Sequence, residues 1–87
     1  MSRLRVGPDT AWLEVDGVVY AAPLPDGPPV VLDGPGALVW RAVVPGGGLD
    51  DVVARVAAEA GTSAEVVAAD VASFVDQLLA GGLLAHE

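Results

Sequence analysis

Near residue 34 the apolar positions switch from short blocks to a helical period. Before that point three blocks read as strands. Trp12, Leu13, Glu14 and Val15 form the first, and Val18 to Ala22 form the second. Asp16-Gly17 between them is the strongest short hairpin signal in the chain. Pro23 to Pro29, PLPDGPP, is a turn-rich connection leading to Val30-Val31-Leu32. That third block is too short for a helix, and its β-branched residues favour a pleated strand. The three strands complete a meander. Residues 1–10 read as a lead-in ending in the turn cluster Gly7-Pro8-Asp9-Thr10.

After Leu32 the pattern predicts three helices. Asp33 is an N-cap residue type and Pro35 suits a first helical position, so a helix runs from there to about Val44. Pro45-Gly46-Gly47-Gly48 ends it. In the second helix, about Leu49 to Ala60, Leu49, Val52, Val53, Val56, Ala57 and Ala60 share one face. Asp50 and Asp51 suit its positive N-terminal end, and Asp51 and Arg55 are spaced for an i,i+4 pair. Gly61 stops this helix, and Thr62 with Glu65 suggests a capping box for the next. The third helix covers about Ser63 to Ala80. On a 100° wheel, Ala64, Val67, Ala68, Val71, Phe74, Val75, Leu78 and Leu79 make a continuous apolar arc. Asp70 and Gln77 lie at its border beside Phe74 and Val67. Gly81-Gly82 ends it, and Leu83-Leu84 are expected to tuck back onto the core. The predicted class is α+β: a three-stranded antiparallel sheet followed by three helices, in a winged helix-turn-helix-like outline.

At 87 residues the chain reads as a single domain, 1–87, that buries about 60–65% of its unfolded surface. The hydrophobic fraction of 53% is well above that of a disordered chain. Without cysteine there is no disulfide and no thiolate metal site. No signal peptide and no apolar run of membrane-spanning length is visible, so a soluble cytoplasmic protein is expected.

Charge narrows the function. Twelve acids face four arginines and no lysine, for a formal net charge of −8. Such a chain repels nucleic acid and anionic lipid. The winged outline would put the third helix in a DNA groove, but that helix offers Glu65, Asp70 and Asp76 and no Lys or Arg. The Gly46-Gly47-Gly48 run is followed by Asp50 and Asp51 rather than Lys or Ser, which excludes a phosphate cradle. The single histidine, His86, stands next to the C-terminus, where a frayed and solvated residue is expected. One histidine and no cysteine assemble neither a catalytic triad nor a metal site. The expectation is a binding protein, not an enzyme, with no cofactor.

The third strand suggests what is bound. Pro28 and Pro29 cannot donate ladder bonds, so they belong on an edge strand. Val30-Val31-Leu32 carries none of the charges that usually guard such an edge. An unguarded edge accepts a peptide as an added strand, with alternate side chains entering pockets. Those pockets would lie between Val30, Val31 and Leu32 and the near border of the third helix: Val67, Asp70, Val71, Phe74 and Gln77. Edge-to-edge dimerisation is the competing use of the same strand.

Asp16 to Val19, Val31-Leu32-Asp33 with Gly36 to Trp40, Gly48 to Val53, Asp70 to Leu78, and Gly82-Leu83-Leu84 stand in a telling order and spacing. Together they resemble the PqqD-like proteins, the leader-recognition elements of ribosomal peptide (RiPP) biosynthesis. The resemblance covers about residues 10 to 85. It implies a winged helix-turn-helix-like domain that binds the leader of a precursor peptide against its third strand and third helix. It also implies delivery of that precursor to a separate chain, a leader peptidase, cyclase or other modifying enzyme. Asp33-Gly34-Pro35-Gly36-Ala37 departs from the Asn-x-Thr-Ala helix start of PqqD proper. A role in pyrroloquinoline quinone synthesis is therefore the alternative. The free-standing, acidic chain looks more like the leader-binding partner of lasso-peptide clusters.

Overall fold

A computed structural model describes residues 3–87. Its central sheet is the predicted meander. Strand β2 (Thr10–Val15) pairs antiparallel with β3 (Val18–Pro23), which pairs with β4 (Val30–Leu32). The hairpin turn has positive φ at Asp16 (52°) and Gly17 (80°), a combination whose twist matches that of the strands it joins. The inner face buries Val19, Ala21 and Leu32. On the outer face Leu13, Tyr20 and Val31 stand opposite one another in register, all exposed.

Three helices follow: α1 (Gly34–Val43), α2 (Leu49–Ala60) and α3 (Ala64–Ala80). The fold class is as predicted, α+β with a three-stranded antiparallel sheet ahead of three helices. The helix caps differ in detail. Asp33 occupies the N-cap of α1, but its side chain makes no capping bond. Its main-chain carbonyl accepts the Gly36 N–H at 3.0 Å instead. The N-cap of α3 is Ser63 rather than Thr62, again without a side-chain bond. At α2 it is Asp51 that caps, its Oδ2 accepting the Gly48 N–H at 3.0 Å. The expected Asp51–Arg55 pair is absent among the described residues, because both side chains have main-chain partners. Val66, on the outer side of α3, is among the most exposed apolar residues.

The ends of the chain correct the expectation of a loose lead-in and a frayed tail. Leu4–Val6 forms β1, and Leu84–His86 forms β5. They pair antiparallel, with Leu4 opposite His86 and Val6 opposite Leu84. Leu4, Leu83 and Leu84 are buried, which supplies the driving force, and Leu4 N–H also donates to Gly47 O at 2.6 Å. Leu83-Leu84 do return to the core as expected. Arg3 and Glu87 close the ribbon with an exposed ion pair at 3.1 Å, worth little by itself.

Trp40 of α1 is the centre of the core. It is fully buried, as are Val19, Val43 and Val52 from the sheet, α1 and α2. The half-exposed Trp12 ring stands edge-on to it, centroids 5.7 Å apart at 68°. The Trp40 Nε1–H is buried without a hydrogen-bond partner, which offsets about 1–3 kcal/mol of the gain from burying the ring. Replacing Trp40 with Ala should cost about 3–5 kcal/mol, a large share of the roughly 4–13 kcal/mol available to a domain of this size. Urea unfolding followed by circular dichroism should show that loss, and a smaller one for Trp40→Phe, which keeps a ring and removes the orphaned donor.

Candidate functional site

Strand β4 has a sheet neighbour on one side only. Which main-chain groups face the open side follows from the hairpin. In a two-residue hairpin the residues flanking the turn, here Val15 and Val18, exchange hydrogen bonds with each other. Alternation then makes Leu13 and Tyr20 a bonded pair, so the main chain of Tyr20 turns to β2. Val19 and Ala21 turn the other way, to Leu32 and Val30. Tyr20 and Val31 are therefore a non-bonded pair, and Val31 directs its N–H and C=O to the free edge. Asp33, still extended at φ −132° and ψ 171°, continues the alternation. Pro29, two residues before Val31, supplies no donor. The edge is short, and its strand-pairing capacity centres on Val31.

Between α1, α2 and α3 lies a cavity of about 390 Å³. Val67, Asp70, Val71 and Phe74 of α3 line it together, but Val30, Val31 and Leu32 do not, so the cavity lies among the helices and not, as the sequence led one to expect, between β4 and α3. Pro35, Leu38 and Val39 of α1 and Val56 and Ala60 of α2 complete the wall. Asp70 is the sole charged lining residue, and it is exposed. Gln77 lies on the exposed surface of α3 beyond Phe74 and is not part of this lining. Val30 is half-buried against the core. Leu32 is itself a core residue, so it anchors the edge, while the Val31 side chain stands 61% exposed on the outer face.

A single close contact joins strand edge and cavity. Gly36 is buried in the first turn of α1, and a Cβ there would meet Phe74 Cζ at 2.9 Å and Leu32 Cβ at 3.6 Å. Absence of a side chain at position 36 lets the Phe74 ring come up against the first turn of α1. Among the described residues no group of three His, Cys, Asp or Glu converges as a metal site would require.

The family model for coenzyme PQQ synthesis protein D (PqqD) matches residues 24–84. The chain belongs to the PqqD family. The matched segment includes β4, all three helices and the candidate cavity, while the β2–β3 hairpin precedes it. No curated protein matches the chain. A solved structure, TbiB1 in complex with the TbiA(beta) leader peptide, has the same fold. It superposes with a TM-score of 0.81 at 22% identity, covering 92% of this chain and 93% of that one.

The α1 and α2 walls were not singled out from sequence. Pro35 and Gly36 read there as part of the helix start, Leu38 and Val39 as helix residues, and Val56 as a position on the apolar face of the second helix. Their dual use depends on the gap left where α1, α2 and α3 diverge. Gly36→Ala tests the close contact. Alanine is favoured over glycine in a helix by about 1 kcal/mol, so the melting temperature should hold or rise. The Phe74 ring must move, and its proton resonances should shift together with the methyl signals of Val71.

Proposed function

We propose that this chain binds the leader region of a ribosomally made precursor peptide as an added strand on β4 and presents it to a separate maturation enzyme. The observation that carries this reading is the free edge of β4 at Val31, followed within a few residues by Gly36, against which Phe74 of the apolar cavity comes close. An incoming strand would bond to the Val31 N–H and C=O. Its residue opposite Val31 would point to the outer face, and the flanking residues would point inward towards Phe74 and Val71. Membership of the PqqD family supports the reading, and so does the likeness to TbiB1, whose structure contains a leader peptide. Asp70 at the rim is placed to receive a polar or basic group of the peptide. The peptide-contacting set is Val30, Val31, Leu32, Val67, Asp70, Val71, Phe74 and Gln77, with Pro35 and Leu38 added. Gln77 would touch a peptide that runs past the cavity along α3.

The partners in this reading are the precursor peptide and a leader peptidase, cyclase or other modifying enzyme, in RiPP and specifically lasso-peptide biosynthesis. Leu13, Tyr20 and Val31 form an exposed apolar row continuous with the bound strand, a surface on which such an enzyme can dock. The chain would act as a binding protein without catalytic residues or a cofactor. DNA binding is disfavoured because Glu65, Asp70 and Asp76 are exposed on α3 and no cation lies on that helix. No helix among the described residues is long and apolar enough to cross a membrane.

Val31→Pro tests the proposal cleanly. The Val31 N–H faces the open edge, so proline removes it and leaves the β3–β4 ladder bonds in place. Fluorescence anisotropy with a labelled leader peptide that the unaltered chain binds should show affinity falling about tenfold or more, as expected for one lost main-chain bond plus a steric clash. Unchanged affinity in a folded Val31→Pro variant would rule out strand addition at β4.

A further inference from the structure

A second cavity, of about 520 Å³, lies between α1 and α2 and is lined by Leu38, Arg41, Ala42, Arg55, Ala58 and Glu59. It holds two of the four arginines, the other two being Arg3 and Arg5 near the N-terminus. The cavities along α3 have the opposite character, with Asp50 and Glu65 in one and Asp70 in the other.

Arg55 is fixed in an unusual way. Its Nη1 donates to the Ala42 carbonyl at 2.8 Å and to the Gly46 carbonyl at 2.7 Å, at the C-terminal end of α1. The negative end of the helix dipole accounts for a cation at that place. It does not account for the rest of the group. A guanidinium carries five N–H donors, and these two bonds engage one nitrogen. Although the chain has twelve carboxylate side chains, no described one lies within 4.0 Å of Arg55. Asp51, one turn earlier, is turned to the Gly48 N–H, and Glu59, one turn later, lines the cavity without pairing. The result is a half-buried, pre-positioned guanidinium whose charge has no anion. Arg41, on the facing helix, donates from Nη1 to Glu14 at 2.8 Å, but both side chains of that pair are substantially exposed, so it exchanges readily with solvent or another acid.

We propose that this cleft is a docking site for a carboxylate carried by an acidic segment of a protein partner, gripped by Arg55 and assisted by Arg41. Arginine suits this task because its planar fork meets both oxygens of a carboxylate, and Arg55 has already lost its side-chain freedom to the two carbonyls. The chain as a whole carries a net charge of −8 and repels acidic segments, so a carboxylate is welcomed at this cleft and discouraged around it. That contrast sets the orientation of the partner more than it raises affinity. The site is separate from the strand edge of β4 and stands whether or not a leader binds there.

The probe is acetyl-tetraglutamate amide, with acetyl-tetraglutamine amide and inorganic phosphate as the comparison arms. Nitrogen-15 spectra would follow the Arg41 and Arg55 Nε–Hε signals of the intact chain. Tetraglutamate should shift the Arg55 signal saturably, tetraglutamine should leave it in place, and added salt should weaken the effect. Arg41→Gln, which leaves the carbonyl contacts of Arg55 intact, should weaken tetraglutamate binding about three- to fivefold. Arg55→Lys keeps the charge without the fork and should weaken it further; if that variant unfolds, Arg41→Gln still decides. A silent Arg55 signal, an equal response to tetraglutamine, an unchanged affinity in Arg41→Gln, or phosphate binding as tightly as tetraglutamate would each overturn the proposal.

Discussion

The close approach of Phe74 to Gly36, just past the buried Leu32, ties the end of β4 and the start of α1 to the third helix, and the geometry of the site depends on it. Strand β4 has three residues, too few to hold its place by ladder bonds alone. It is held because its last residue is buried and the chain turns at once into α1, with Gly34 at φ 50° making the break. Trp40, two turns along the same helix, locks α1 onto the sheet. The free edge at Val31 is thus presented by a rigid junction and not by a loop, which lowers the ordering cost of adding a strand.

Electrostatics divide the surface. Acids are spread over the exposed faces of α2 and α3, while Arg5 lies on β1, Arg3 just before it, and Arg41 and Arg55 in the α1–α2 cleft. An acidic third helix turns a nucleic-acid-like outline away from phosphates. The same helix contributes an apolar wall whose single charged residue is Asp70. Outline and charge therefore pull in different directions, because phosphate contacts would have to supply most of the affinity for DNA and α3 carries no cation to make them.

Local signals carried much of the fold. The Asp16-Gly17 turn, the β-branched Val30-Val31-Leu32 block, Pro35, and the apolar arc of α3 each state a backbone preference within a few residues. The meander and the three helices follow from them, and so does the edge position of β4, since Pro28 and Pro29 cannot sit between two strands. The grouping of Val67, Asp70, Val71 and Phe74 was likewise legible, because helical spacing alone places them together.

What the tertiary structure decided are the matters of distance in sequence. Leu4–Val6 and Leu84–His86 are unremarkable triplets, and they become strands only because about eighty residues of folding bring them side by side. Asp51 and Arg55 are spaced to pair, yet each finds a main-chain partner made available by the ends of α1 and α2. The α1 and α2 walls of the cavity depend on how three helices diverge. Sequence determined the elements and the sign of the surface, since both reside in local chemistry. The cavities, the terminal ribbon and the unpaired guanidinium came from packing, which no local pattern encodes.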